Sequence, residues 1–392
     1  MPRILRIINR FNLGGPTYNV AYLSKFLAPE FETMLVGGMK EDSEESSEFI
    51  LKNLGIKPII IPEMRRSVNL LNDFSAYQKI KQLIKDFKPD IVHTHASKAG
   101  AIGRFAAIQS KVPVIVHTFH GSVFHSYFDN FKTTIYKTIE RHLAKKSSAI
   151  IAVSEKQKQE LSLLHKICEP EKIHVIPLGF DLLKFQENQE EKRKNFRQKI
   201  FLSEDEIAIG IIGRIVPVKN HELFLRSLKI VKEKTSKKIK AFIIGDGEDR
   251  KKMEQLAENL NLNSSAKGEG LVVFTSWIKE IDWAIAGMDI IALTSLNEGT
   301  PVSLVEAQAA NKPIVTTQVG GAENIVIPDV TALLAENNNE KDFAEKLLRL
   351  IEDAHLRMEM SKHAWQQVKE KFHYTRLVND FSKLYHSLLL HK

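Results

Sequence analysis

Short apolar runs rich in β-branched residues alternate along this chain with longer stretches whose apolar positions recur at helical spacing. The runs predict strands at Ile4–Ile8, Thr33–Val36, Pro58–Ile61, Ile91–His93, Val114–Thr118, Ile150–Val153 and His174–Ile176. The stretches between them predict helices such as Tyr18–Leu27, Leu70–Asp86 and Phe131–Lys145. The pattern then starts again, with strands at Ile207–Ile212, Ala241–Ile244, Val272–Phe274, Ile290–Leu293 and Ile314–Thr316. Continuous apolar strands separated by helices need cover on both faces, so each half reads as a doubly wound, parallel α/β sheet. Just after "PLGFDLLKF" the polar stretch "QENQEEKRKN" lacks strong periodicity and reads as the boundary between the halves. From Glu340 the pattern is helical to the last residues.

Open α/β sheets bind ligands at the carboxyl ends of their strands, and with two sheets facing each other a shared cleft is the default site. The most informative strand end is "SLNEGTPVSLVEAQAA", Ser295 to Ala310, which follows the apolar "DIIAL". It reads as a tight acidic loop leading into a helix start. Such a start aims free N–H groups and the positive end of the helix dipole at whatever occupies the loop, and the natural guest is an anion such as a phosphate. Val302 and Ser303 supply those amides, while Pro301 has none to give. Glu298, with Gly299 and Thr300 after it, faces the polar part of the guest. Glu306 lies eight residues beyond Glu298, in reach of a further hydroxyl, or else is a helix-surface acid. Its apolar company, Leu304, Val305 and Ala307, weakens that second reading.

Arg214 and Lys219 follow the strand "IAIGIIG" and form a candidate cation clamp for a departing phosphate. Their spacing alone leaves two ordinary surface cations as an equal reading. Gly14 and Gly15 follow the first strand, where glycine permits close backbone approach to a ligand or simply makes a turn. Pro16 suits the first helical turn. The histidines His93, His95, His117, His120 and His125 crowd the first half, but no paired acid or cysteine pattern accompanies them, so no metal site is expected. His93 and His117 read as packed strand-end residues, and His95 and His125 as lining the acceptor side.

Composition narrows the classes. A chain of 392 residues accommodates two domains, and 43% hydrophobic with 27% charged residues fits a globular protein rather than a disordered one. No apolar run reaches the roughly eighteen residues of a membrane-spanning helix. The start, "MPRILRIINRFNLGG", reads as a buried first strand rather than a signal peptide. A single cysteine, Cys168, excludes an internal disulfide and fits a reducing compartment, so the cytoplasm is expected. The net charge of +8 points to nucleic acid, an anionic membrane surface or acidic small substrates. Nothing resembles zinc-ligand spacing, an aromatic RNA-binding strand or a basic zipper, which argues against nucleic acid. The clusters "EEKRKNFRQK" and "KEKTSKKIK" read as solvated helix faces or linker. "YFDNFKTTIYKTIERHLAKK", Tyr127 to Lys146, either rests on anionic lipid or packs on the sheet.

Taken in order, these segments resemble the retaining glycosyltransferases of family 4 (GT4), which have the GT-B architecture. Glu298 and Glu306 match that family's E-x7-E pattern, and "GRIVPVKNH" resembles its G-R-x(4)-K segment. "IGDGEDR" and "PIVTTQVGGAENIV" resemble further landmarks of its second half, and "LGGPTYNVAYLSKFL", "HTFHG", "IIAVSE" and "VIPLGFD" those of its first. The resemblance implies two Rossmann-like domains facing across a cleft. Residues 1–185 would bind the acceptor, 186–373 the nucleotide sugar, and a helix over 374–392 would cross back onto the first domain. It also implies transfer, with retention, of a hexose-type sugar from a nucleotide diphosphate sugar, UDP-linked, to an acceptor hydroxyl. The setting would be bacterial surface glycan or lipid-linked oligosaccharide synthesis. No metal or other cofactor is implied.

Carried onto this sequence, the resemblance makes Arg214 and Lys219 the phosphate clamp and puts Glu298 beside the donor sugar and diphosphate. Backbone groups of Gly299 and Thr300 meet sugar hydroxyls, Glu306 holds the ribose diol, and the backbone at Trp277 and Ile278 meets the base. His120 contacts the sugar at its C6 hydroxyl. The partners implied are the nucleotide-sugar donor and a glycan or lipid-linked acceptor, with loose contact on the inner face of an anionic membrane. The alternative on a similar scaffold is a non-hydrolysing UDP-GlcNAc 2-epimerase, which would lack the Glu298/Glu306 pair. A phosphorylase would need a longer chain and a Lys-bound cofactor. The set Arg214, Lys219, Glu298 and Glu306 argues against a non-catalytic binding module.

Overall fold

The computed structural model describes residues 1–12, 14–40, 46–65, 67, 69–120, 130–262 and 270–390. The chain divides into two units, one formed by Met1–Phe180 with Phe372–Lys392 and the other by Asp181–Lys371.

The first unit is built on β1 (Arg3–Arg10), β2 (Glu32–Gly38), β3 (Ile59–Ile60), β4 (Ile91–His95), β5 (Val114–Thr118), β6 (Ala149–Ala152) and β7 (Ile173–Val175). They form one parallel sheet in the order β3-β2-β1-β4-β5-β6-β7. Side chains alternate between the faces of a strand, and register decides what each row contains. On one face, Ile4, Ile91 and Val114 are neighbours at the amino end, and the next row is Arg6, His93 and Val116. The row after that places His95 beside Thr118. This face therefore runs from apolar to polar towards the carboxyl ends of the strands. Helix Tyr374–Leu390 covers it, burying Leu377, Phe381, Leu384 and Tyr385 against Ile4, Leu23, Phe31 and Ile91. The opposite face packs Leu5, Ile7, Val92 and Ile115 under helices Leu70–Phe87 and Ser97–Gln109, through Ala76, Ile80, Ile84, Ala106 and Ala107.

The second unit is built on β8 (Ile207–Ile212), β9 (Ile239–Ile244), β10 (Val272–Phe274), β11 (Ile290–Leu293), β12 (Ile314–Thr317) and β13 (Ala332–Ala335). All pairings are parallel, in the order β10-β9-β8-β11-β12-β13. Strand β13 is absent from the sequence reading. Its run "ALLA" is too short to carry a period, and it becomes a strand because Ile314 to Thr317 offer it a free edge to pair with.

The polar stretch after "PLGFDLLKF" is helix Gln189–Lys199. Glu190, Glu191, Lys194, Asn195, Gln198 and Lys199 make the solvated face of the reading, and the other face is anchored. Phe196 is buried against Gly287, where an added Cβ would lie 2.5 Å from the Phe196 ring. Arg197 is fully buried and donates to the carbonyl oxygens of Gly287, Ser203 and Glu206 and to Asp289. Lys192 pairs with Asp282 at 2.7 Å and Arg193 with Asp289 at 2.8 Å, so one ring and three cationic side chains hold the helix and no apolar period marks it. Within "YFDNFKTTIYKTIERHLAKK", residues 127–129 lie outside the described residues. The rest is helix Asn130–Lys146, and it buries Glu140, Leu143 and Ala144.

Candidate active site

In each sheet the strand order turns at a central pair, β1/β4 and β8/β11, and the connections leave that pair in opposite directions. The covering helices therefore part at the carboxyl ends of the pair, which opens a crevice there. The candidate residues of the second unit lie on these strand ends. Gly213, Arg214 and Lys219 follow β8, and the loop from Thr294 to Pro301 follows β11 and leads into helix Val302–Ala309.

The two segments are stitched together. The Leu296 amide donates to the Val218 carbonyl at 2.8 Å, and the Thr294 hydroxyl to the Lys219 carbonyl at 3.1 Å. Lys219 Nζ donates to Glu298 Oε1 at 2.5 Å, and Ser295 Oγ donates to the same oxygen at 2.6 Å. Arg214 stands exposed beside them, and its side chain has no hydrogen bond or ion pair among the described residues. Its guanidinium is thus free to meet an anion. Helix Val302–Ala309 has no side-chain cap, and its first amides, Val302 and Ser303, have no acceptor among the described residues. Open amides, the dipole and a free guanidinium make this crevice attractive to a phosphate.

Glu306 sits half-buried on the next turn of that helix, and its carboxyl makes no hydrogen bond or ion pair among the described residues. Burial pushes its carboxyl up to about 7, opposed by the Lys184 cation and helped by the Asp282 charge. A protonated or freshly ionised carboxyl without partners is suited to a polar ligand. Ile278, half-buried, follows β10, and the chain before it is held by Arg250, which donates to the Thr275 carbonyl at 2.9 Å.

Three supporting residues lie within the quoted segments but received no role of their own. Ser295 orients Glu298. Gly320 and Gly321, just after β12, lie against the acidic loop. The Gly321 amide donates to the Glu298 carbonyl at 2.8 Å, and a Cβ there would fall 1.7 Å from the Gly299 carbonyl oxygen. The adjacent glycines after an apolar strand were the available signal.

In the first unit, Gly14 and Gly15 open helix Gly15–Phe26 after β1. A Cβ on Gly14 would find only Pro16 Cδ, at 3.8 Å, so the backbone there is open to a ligand. His120 follows β5 and is half-buried, and burial lowers its imidazole to about 4. Its Nε2 lies 2.9 Å from His95 Nδ1. His93, His95 and His117 are fully buried, which holds each well below the usual imidazole range, with nearby cationic charge adding to the effect. His117 pairs with Thr94 at 2.8 Å on the opposite face of the sheet. His125 lies outside the described residues. Among the described residues no group of three His, Cys, Asp or Glu is placed to hold a metal, and no helix is long and apolar enough to cross a membrane.

The chain matches known families over both halves. A model described as glycosyltransferase family 4 covers residues 13–183, and one described as glycosyl transferases group 1 covers residues 192–367. It is 30% identical over 339 residues to the UDP-Gal:alpha-D-GlcNAc-diphosphoundecaprenol alpha-1,3-galactosyltransferase of Escherichia coli, covering 86% of this chain and 85% of that protein. It is 26% identical to the N,N'-diacetylbacillosaminyl-diphospho-undecaprenol alpha-1,3-N-acetylgalactosaminyltransferase of Campylobacter jejuni, over 81% of this chain and 82% of that one. In fold it is similar to Anabaena HepE, solved in complex with UDP and glucose, with a TM-score of 0.83 at 19% identity over 99% of this chain and 100% of that chain.

Proposed function

The chain belongs to glycosyltransferase family 4, with the GT-B architecture, and we propose that it is a retaining enzyme using a UDP-linked hexose. It transfers a sugar from a nucleotide donor to an acceptor. The acceptor in this reading is a hydroxyl on a glycan carried by a lipid diphosphate. Two relatives whose names contain diphosphoundecaprenol or diphospho-undecaprenol acceptors support it. The net charge of +8 supports loose contact with the anionic inner face of the cell membrane.

One observation carries the reading, namely Lys219 locked to Glu298 at 2.5 Å beside the unpaired Arg214 and the uncapped start of helix Val302–Ala309. As the bond between the sugar's anomeric carbon and the phosphate oxygen breaks, negative charge grows on the diphosphate. Arg214, Lys219 and the Val302 and Ser303 amides answer that charge, so they stabilise the transition state more than the ground state. These fixed cations make a bound metal unnecessary in this reading. The acceptor oxygen bonds to the anomeric carbon on the face the phosphate leaves, and its proton passes to the departing phosphate oxygen. Configuration is therefore retained without a carboxylate nucleophile. Glu298, held by Lys219 and Ser295, keeps the clamp in place and faces the sugar with Gly299 and Thr300. Glu306 takes the ribose diol, Ile278 the base, Gly14 and Gly15 the backbone approach, and His120 the sugar's C6 hydroxyl.

The test is nucleotide release from a panel of UDP- and GDP-sugars, without added metal, with and without polyprenyl-diphosphate-linked acceptors. UDP release should depend on the acceptor, and Lys219→Ala should lower kcat by about a hundredfold or more. Unchanged turnover in Lys219→Ala would overturn the clamp, and epimerised donor in place of transferred sugar would overturn transfer.

A further inference from the structure

We infer that Arg6, acting through His95, holds His120 as a neutral imidazole with its proton on Nδ1, so that His120 donates a hydrogen bond to a ligand oxygen and does not act as a base. The inference rests on the reading of His120 as a residue that meets ligand. It concerns the first unit alone.

Arg6 lies in β1 with its side chain fully buried, and among the described residues no carboxylate is its partner. A guanidinium stays charged and can only donate. Its Nη1 faces His93 Nδ1 at 2.8 Å, Tyr385 Oη at 3.2 Å and His95 Nε2 at 3.5 Å. An imidazole N–H turned at that group would set donor against donor. Both facing nitrogens must therefore present lone pairs, and each ring's proton must sit on its other nitrogen. For His93 that is Nε2, which has Thr118 Oγ1 to donate to at 2.7 Å. For His95 it is Nδ1, which lies 2.9 Å from His120 Nε2. A nitrogen that accepts a hydrogen bond from His95 cannot carry its own proton, so the proton of His120 is on Nδ1. Double protonation does not rescue the other arrangement. Burial and the Arg6 charge both hold His93 and His95 in their neutral forms.

The end of this chain is open. His120 Nδ1 is buried and has no partner among the described residues. A buried donor left unpaired is costly, so the site favours a ligand oxygen that accepts from it. The cavity bordering His95, Thr118 and His120 measures about 10 Å³, room for no more than one water. The relay therefore runs through protein groups rather than through solvent. Arg6 and His95 are positioning residues, and only His120 is assigned contact with ligand.

The test reads the tautomers directly. In protein labelled with 15N-histidine, long-range 1H–15N correlation reports which nitrogen of each ring is protonated, and loss of one spin system in His120→Phe assigns His120. Wild-type His120 is expected as the neutral Nδ1–H form. His95→Phe keeps a packed ring but removes the donor, and should let His120 populate Nε2–H while kcat falls about tenfold. His95→Gln restores an N–H donor and should recover both. An Nε2–H His120 in the wild type, or an unchanged tautomer in folded His95→Phe, overturns the inference. Should the tautomers behave as stated while His120→Phe transfers sugar normally, the relay stands and the functional reading of His120 falls.

Discussion

Two glutamates eight residues apart share a motif and live in different surroundings. The Glu298 carboxylate receives hydrogen bonds from Lys219 and Ser295, while the Glu306 carboxyl receives none among the described residues. The sequence shows the pair and its spacing but not this difference, because it depends on which side chains the β8 and β11 loops bring within reach. It has a measurable consequence. The carboxyl of Glu306 titrates near 4.5 when unfolded and is pushed up to about 7 by burial when folded. Between those values the unfolded chain ionises first, so stability falls as pH rises through the window. Glu306→Gln removes the penalty. Its gain over wild type should be absent below about pH 4.5 and complete above about pH 7, worth roughly 1–3 kcal/mol. Urea unfolding across that range measures it, and a gain independent of pH would contradict the assignment. The same substitution should weaken UDP binding if the carboxylate holds the ribose diol.

At the scale of elements, a charge pattern can conceal a core. Glu140 sits among the cations of "YFDNFKTTIYKTIERHLAKK", and nothing in that pattern sets it apart. In the folded chain both Glu140 oxygens accept from Arg104 Nη2, at 2.9 and 2.7 Å, and neither side chain has any exposure. The pair joins helix Ser97–Gln109 to helix Asn130–Lys146. Glu140→Ala leaves a buried guanidinium uncompensated and should destabilise the protein by roughly 3–5 kcal/mol. Replacing both partners, with Arg104→Met and Glu140→Leu, should recover most of that loss. Chemical denaturation of the three variants checks both statements. Helix Gln189–Lys199 gives the same lesson, since Phe196 and Arg197 anchor a segment with no apolar stripe. Periodicity finds elements that bury an apolar face and misses those held by a single ring and charged side chains.

At the scale of the whole molecule, each unit has its own sheet and its own turning point, and the nucleotide-binding groups proposed here all belong to Asp181–Lys371. UDP at about a hundred times its Kd should therefore stabilise that unit by about 2.7 kcal/mol, a rise of roughly 5–10 °C in its melting transition. Calorimetry should find the shift intact in His120→Phe and abolished in Arg214→Ala; a shift that survives Arg214→Ala would remove that residue from the phosphate site. Much of this was legible in advance. Apolar runs alternating with helical periods determined two parallel α/β sheets, because strands covered on both faces must be continuously apolar. Strand-end motifs determined on which edge of its sheet each candidate residue lies, because parallel winding sends every such loop to the same edge. The fold alone decided which groups are partnered. Lys219 meets Glu298 across 79 residues of chain, and Arg6 meets His93 across 87. Hydrogen bonding and burial act over a few ångströms, and a linear sequence does not record which distant residues share that space.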